Sequence, residues 1–351
     1  MSTTHYPGSS SRDRSTSAAG TIPGTGAVLR ADWFSVMPSL ERATQVAYAG
    51  RQLWQYNAIN AVQVASTGLG RDLGVLSRAI LNVDLNRRLA PRLHARLSAV
   101  MEAIAKKDGY MVYDQMQAWC SDEPSQWYAD EMETESMAIH AWETGLIREV
   151  RSTQVADHAP LEFFPLLGAE TAEWHATALR ALELIGEVDP EMAAEIRTHV
   201  ALIKLFMGDG MEGLSSPKAF GAIWLKAPEP ERALAWFLEH LVHECSHLHL
   251  NNLMAFDPVL TNPMEIHQAP IRPDPRPMFQ VLHGTFVLAR NCRVHGRLQD
   301  RFPELGLSTQ LEKFREQYGR GLQVTREFMQ STAMGSLLLQ SLPESGVEAS
   351  A

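Results

Sequence analysis

The sequence predicts a mainly helical α+β protein with a small antiparallel sheet beside a metal-binding helix. Three observations predict it. Apolar residues recur at spacings of three and four over much of residues 38–120, which is the period of an amphipathic helix. Two short segments near residue 200 are rich in β-branched and apolar residues, as strands are. A long stretch without Gly or Pro then carries histidines four residues apart.

The N-terminal half divides into a tail and a helical region. Residues 1–26 are mostly Ser, Thr, Gly and Pro, so we expect a disordered tail that has too little to bury. Residues 27–190 form the predicted helical region, and its clearest apolar stripe consists of Leu53, Tyr56, Ile59 and Val62. Segment 170–186 is helical by the same criterion, whereas 124–165 has no clean period.

Residues 191–345 form the predicted metal-binding region, which we expect to be continuous with the helical region as one globular unit. Segments 198–206 and 219–225 are predicted strands, and 208–213 is a predicted loop. A helix is predicted over 232–254, after two prolines that suit a helix start.

The rest of this region is predicted as a Pro-rich loop and further helices. The loop covers residues 257–277, and the next helix covers 278–298. One or two more helices are expected between residues 308 and 340.

Composition excludes several classes of protein. Asp and Glu outnumber Lys and Arg, 41 to 31, and no long basic run is present, so a nucleic-acid partner is not expected. Three widely spaced cysteines favour a reducing compartment, and we expect a cytoplasmic protein. No segment approaches the roughly 18–20 apolar residues of a membrane span, so no membrane partner is expected.

The strongest chemical signal is the motif LVHECSH. His243 and His247 stand four residues apart, so on a helix both imidazoles lie on one face and can bind one ion, with Glu244 beside them. The sequence therefore predicts a metal centre on helix 232–254.

A third protein ligand is needed, and two candidates remain. The metzincin pattern is excluded, because its Gly and His positions hold Leu250 and Leu253. Glu265 is possible but lies in a Pro-bounded loop. His283 is favoured, since it stands early on the next predicted helix and Gly284 beside it permits close backbone approach.

The Pro-rich loop offers two arginines near the predicted centre. In the segment IRPDPRP, alternate prolines stiffen the chain and present Arg272 and Arg276 at defined positions. Either guanidinium could bind a carboxylate through two hydrogen bonds. Pairing of Arg276 with Asp274 inside the loop is the competing interpretation.

The segments LVHECSHLHLNNL and PIRPDPRPMFQVLHGTFVLA, preceded by GLSSPKAFGAIWL, resemble a known family. They are similar to the HExxH-motif peptide-modification proteins that accompany ribosomally made, post-translationally modified peptides. That family is read as iron(II)- and 2-oxoglutarate-dependent peptide β-hydroxylases. The resemblance covers roughly residues 200–300.

The resemblance implies a reaction and residue roles. His243, His247 and His283 would bind Fe(II), and Arg276, or else Arg272, would hold the distal carboxylate of 2-oxoglutarate. Glu244 would orient a ligand or meet the substrate. The reaction would hydroxylate the β-carbon of a residue in a precursor peptide and release succinate and carbon dioxide.

Two further functions and a peptide contact stay open at this point. In a zinc-dependent HExxH metallopeptidase, Zn(II) would replace iron, Glu244 would be the general base, and Glu265 or His283 the third ligand. A non-catalytic peptide-binding protein is the other possibility. Ser215 and Ser216, before the second predicted strand, are candidate substrate contacts through strand-edge pairing.

Overall fold

The computed structural model describes residues 20–21, 28–137, 142–143, 145–147, 163–166 and 168–343. Most of the predicted tail, 1–26, lies outside the described residues. The described part of the tail is strand β1 (Gly20–Thr21), which pairs antiparallel with β2 (Val28–Leu29) just after the tail.

Four helices form the first helical layer, as the apolar spacing predicted. They are α1 (Leu40–Leu69), α2 (Gly74–Leu81), α3 (Pro91–Ala105) and α4 (Gly109–Cys120). The Ser39 hydroxyl caps the start of α1 by accepting from the Arg42 amide, and Gly70, in the left-handed conformation with φ 61°, ends it. These helices bury one apolar core that includes Trp54, Trp119 and Trp127.

A five-stranded sheet follows. Its strands are β3 (Glu133–Ser136), β4 (Phe164–Pro165), β5 (Leu202–Met207), β6 (Gly213–Ser215) and β7 (Ala222–Lys226). The order is β3-β5-β7-β6, with β4 also paired to β5. Strand β6 is antiparallel to β7, whereas β3, β5 and β7 run parallel, which the sequence did not predict.

The two predicted strands begin later than expected. Residues Thr198 and His199 belong to the last turn of helix α6 (Pro190–His199) and not to a strand. The helix begins where Asp189 caps it by accepting from the Met192 amide and where Pro190 occupies its first position. The second strand is delayed by a short 3₁₀ helix, Pro217–Ala219, and by Gly221, whose φ of 93° favours glycine.

The remaining helices complete the mainly helical α+β fold that the sequence predicted. They are α5 (Gly168–Val188), α6, α7 (Ala233–Met254), α8 (Met278–Arg301), α9 (Ser308–Phe328) and α10 (Ala333–Gln340). The predicted Pro-rich loop contains a two-stranded antiparallel hairpin, β8 (Ile266–Gln268) with β9 (Pro275–Pro277).

Helices α7 and α8 take part in two apolar cores at once. Phe237 and Leu241 of α7 pack with α5, α6 and the sheet, while Leu250 and Leu253 of the same helix pack with α9 and α10. Helix α8 divides in the same way. Both helices therefore lie at the centre of the molecule, and helix α7 also contacts the first layer, where Asn252 Nδ2 donates to the carbonyl of Val46 at 3.3 Å.

No helix in the described part of the chain combines the length and apolar character that crossing a bilayer requires.

Candidate metal centre

Two histidines of the motif lie one turn apart on α7. The ring centroids of His243 and His247 are 5.0 Å apart, as the spacing of four residues on a helix predicts. Both side chains are only partly buried, unlike their immediate neighbours Val242 and Leu248. The two imidazoles therefore keep a small exposed area, although most of each ring is covered by the protein.

Helix α8 brings His283 to this pair. The Nδ1 atoms of His247 and His283 are 3.1 Å apart, and their rings are stacked with centroids 5.3 Å apart. A Cβ at Gly284 would lie 3.0 Å from Pro270 Cγ, so this glycine does permit a close approach, and the approaching group is the Pro-rich loop.

All three imidazoles are neutral at pH 7. Burial lowers the pKa of His247 to about 3 and that of His283 to about 4. Burial likewise holds the pKa of His243 well below its usual range. Neutral rings keep a lone pair free, which is the form that binds a metal ion.

One pair in the donor set has the spacing of metal ligands. Two cis ligands at metal–nitrogen distances of about 2.1 Å lie about 3.0–3.4 Å apart, and the His247–His283 distance falls in that range. In the described residues, however, the nitrogens of all three histidines do not lie within 4.8 Å of one another. At least one of the three rings would therefore have to turn before all three could bind one ion.

Glu244 is held by the edge strand of the sheet. Ser215 Oγ on β6 donates to Glu244 Oε2 at 2.7 Å, and a Cβ at Gly213 would lie 2.5 Å from Glu244 Oε1. The side chain is buried, and burial raises the pKa of its carboxyl to about 7, although the Ser215 hydrogen bond opposes this rise. The carboxyl can therefore hold or release a proton near neutral pH.

Two residues that the sequence proposed for the site, Ser216 and Glu265, make hydrogen bonds outside it. The Ser216 hydroxyl accepts from the Lys218 amide at 3.2 Å and caps the short 3₁₀ helix. Glu265 pairs with His267 at 3.0 Å and accepts from Asn262 at 2.6 Å, on the exposed hairpin side. Neither contact joins these residues to the histidine cluster.

The two loop arginines have different surroundings. Arg276 Nη2 lies 2.5 Å from Asp274 Oδ2, which is the pairing that competed with a ligand role. Arg272 instead lines a cavity of about 800 Å³ together with His243 and Glu244. This volume lies within the roughly 300–1,000 Å³ of small-molecule pockets.

The same cavity contains polar groups that the sequence did not single out as site residues. His295 of α8 is fully buried, donates to the Asn291 carbonyl through Nδ1, and has no partner for Nε2. His240 stacks on Trp236, and burial raises the pKa of Glu239 to about 7. In the sequence, the spacing of three residues between His240 and His243 on one helix indicated that His240 could lie near the site.

A second, buried cluster includes His249, two residues after His247 on α7. Ligand atoms of Glu195, His199 and His249 lie within 4.8 Å of one another, so this group could hold a metal ion. Arg290 of α8 forms a buried ion pair with Glu195, and an ion would have to compete with that guanidinium. His199 Nε2 and His249 Nδ1 are 3.0 Å apart.

A sequence signal for this cluster existed. Glu195 and His199 are four residues apart on α6, the same spacing as in the histidine motif. Assigning residues 198–206 to a strand concealed that relation, because strand geometry does not bring such residues together.

No protein-family model matches the chain, and a search of curated proteins found no significant match.

Proposed function

We propose that this chain is an iron(II)- and 2-oxoglutarate-dependent oxygenase that hydroxylates the β-carbon of a residue in a ribosomally made precursor peptide. The observation that carries the proposal is the 3.1 Å contact between His247 and His283, which joins the motif helix to the helix of the third candidate ligand. The cytoplasm is the compartment that suits a ribosomal substrate.

The metal would be held by His243, His247 and His283. Iron(II) bound there with 2-oxoglutarate and dioxygen would supply the oxidising power to hydroxylate an unactivated carbon, with release of succinate and carbon dioxide. Three neutral imidazoles leave further coordination positions for the co-substrates, because Fe(II) commonly accepts six ligands.

Arg272 is the better candidate for the distal carboxylate of 2-oxoglutarate. Its side chain lines the cavity that His243 and Glu244 also line, and in the described residues it forms no ion pair. Arg276 forms an ion pair with Asp274, and this pair stabilises the loop. Glutamates also line this cavity, but Arg272 forms an ion pair with none of them, so its donors are available for a bidentate carboxylate contact.

The peptide can be received at the edge of the sheet. Strand β6 is the last strand in the order β3-β5-β7-β6, and residues 210–213, which lead into it, line the large cavity. An extended peptide paired with β6 would run past that cavity, and alternate side chains would point toward it. Ser215 would then position Glu244 and would not contact the peptide directly, since its hydroxyl already donates to the Glu244 carboxylate.

A zinc-dependent metallopeptidase is the second candidate, favoured by one observation. Glu244 has its carboxylate beside the cavity, in the position of the general base of HExxH peptidases. The Ser215 hydrogen bond and the close approach of Gly213 restrain that carboxylate, and Arg272 has no evident task in peptide hydrolysis.

Anaerobic titration of the apoprotein with Fe(II) and 2-oxoglutarate tests the proposal. A weak visible charge-transfer band, absent when Zn(II) replaces Fe(II), is expected for a chelated 2-oxo acid. A precursor peptide should then gain the mass of one oxygen atom in air. Tight zinc binding with peptide cleavage and no band would favour the peptidase, and peptide binding by metal-free protein without turnover would favour a non-catalytic role.

A further inference from the structure

A second cavity lies between α1, α3, α6 and α7, apart from the candidate metal centre. Its volume is about 230 Å³, below the roughly 300–1,000 Å³ of pockets for larger ligands. It shares no lining residue with the large cavity. Any ligand here must therefore be compact, and its binding does not depend on the proposed reaction.

The charge of this cavity is opposite to that of the protein. Arg51 and Arg88 line it, no Asp or Glu does, and the chain carries a formal charge of −10. Arg51 Nε donates to the Leu85 carbonyl at 2.6 Å, while three hydrogen bonds join Arg88 to backbone carbonyls. In the described residues neither guanidinium has a carboxylate within 4.0 Å, although Asp84 lies close enough to Arg51, and Asp130 and Glu133 close enough to Arg88, for a weaker electrostatic interaction. A bound anion would therefore form the first close ion pair of these arginines.

His199 adds a buried donor. His249 Nδ1 lies 3.0 Å from His199 Nε2 and 3.5 Å from Glu195 Oε1. A hydrogen on His249 Nδ1 satisfies both neighbours, whereas a lone pair there would face the carboxylate. We therefore assign the acceptor role to His199 Nε2 and the His199 hydrogen to Nδ1.

That Nδ1–H has no acceptor in the protein. His199 is only 1% exposed, its Nδ1 atom has no hydrogen-bond partner, and the residue lines the cavity. Buried donors are normally paired, so an unpaired one beside a cavity is a binding feature.

The rest of the wall is apolar. Trp54, Leu97 and Phe220 contribute to the lining. A ligand that satisfies the wall therefore needs an anionic end for the donors and a short hydrocarbon body for the aromatic and aliphatic side chains.

We propose that this cavity binds a short-chain monocarboxylic acid, with its carboxylate at Arg51 and His199 and its hydrocarbon chain against Trp54 and Phe220. The carboxylate would accept from the Arg51 guanidinium and from His199 Nδ1, and both are donors without an acidic partner. The hydrocarbon chain would displace water from the apolar wall.

Isothermal titration of the full chain with butyrate tests the proposal, with acetate and the neutral butyramide as comparison ligands. Butyrate should bind saturably and tighter than acetate, and butyramide should bind at least roughly tenfold more weakly than butyrate, because it lacks the charge. Arg51→Gln should weaken butyrate binding roughly tenfold or more, and Arg51→Lys should weaken it less.

Two arginine controls locate the effect. Arg78 is an exposed arginine on α2, and Arg272 lines the other cavity. Arg78→Gln and Arg272→Gln should leave butyrate binding unchanged. The proposal is overturned if wild-type protein shows no saturable butyrate binding, if butyramide binds equally well, or if Arg272→Gln rather than Arg51→Gln abolishes binding.

Discussion

His247 on α7 and His283 on α8 bring their Nδ1 atoms to 3.1 Å from each other across two helices that are adjacent at the centre of the fold. Neither helix supplies the candidate centre alone. The contact joins the HExxH motif to a histidine 36 residues later in the sequence. That second histidine belongs to no recognisable motif.

Replacing His283 by Ala should abolish retention of Fe(II) or Zn(II). Two remaining imidazoles rarely suffice as a protein site for these ions. Metal content after gel filtration, together with a competition titration, measures the effect. Glu265→Gln is the matched control, because Glu265 is the alternative third ligand. Loss of metal in that variant, with full occupancy in His283→Ala, would reverse the assignment.

Replacing Arg272 by Gln should raise the concentration of 2-oxoglutarate required for half-maximal turnover by roughly tenfold or more, because a charge-assisted hydrogen bond is lost. Arg276→Gln should change that requirement little, since Arg276 Nη2 already pairs with Asp274. Steady-state assays at varied 2-oxoglutarate measure both. The opposite ranking of the two variants would return the carboxylate role to Arg276.

Replacing Gly213 by Ala should destabilise the protein by about 1–3 kcal/mol. The new methyl group would lie 2.5 Å from Glu244 Oε1, so β6 or the carboxylate must move. Urea unfolding measures the free energy. Gly68→Ala in α1 is the control, since nothing lies within 4 Å of its Cβ position, and it should stabilise by roughly 0.5–1 kcal/mol. Equal effects of the two substitutions would contradict the crowding at β6.

Replacing Arg290 by Met should cost about 3–5 kcal/mol of unfolding free energy. Arg290 and Glu195 are each only 1% exposed, so the variant leaves a buried carboxylate without its cation. The double variant Glu195→Gln/Arg290→Met should regain much of that loss. Chemical denaturation of the wild type, both single variants and the double variant completes the cycle, and additive losses would indicate that the ion pair is not coupled.

Stability should fall as pH falls from about 6.5 toward about 4. Burial lowers the pKa of His94, His240 and His295 to about 4 and that of His199 to about 3. Between these values and about 6.5 the unfolded chain binds more protons, so its population grows with acidity. The contribution is fully present above 6.5. Urea midpoints across this range measure it.

His94→Gln should reduce the pH dependence by removing one such group, with a limiting slope change of about 1.4 kcal/mol per pH unit. Its ring lines the second cavity and not the cavity of His243, so metal binding at the histidine motif does not complicate the comparison. An unchanged slope would indicate that His94 is protonated in the folded protein.

The sequence was most informative where one short-range period decides the structure. The helices and the pairing of His243 with His247 follow from spacings of three and four residues. The end of α6 was missed, because Thr198 and His199 have strand-like composition, although Asp189 and Pro190 marked its start. Composition near a boundary cannot determine where one element stops.

Long-range geometry was less accessible. Which arginine faces the cavity depends on how the β8–β9 hairpin packs, and no local pattern distinguishes Arg272 from Arg276. Packing of three helices likewise brings together Glu195, His199, His249 and Arg290.

The position of α7 and α8 in two cores has a consequence for amide hydrogen exchange. A helix whose two ends are buried in different cores cannot fray or open by itself, because its amides reach solvent only when both cores separate. We expect the amides around His247 and His283 to exchange as slowly as the most protected ones in the molecule. A substrate must then reach the cavity past the lining segments outside these two helices, which include residues 210–213 and, in the Pro-rich loop, Ile271 and Arg272.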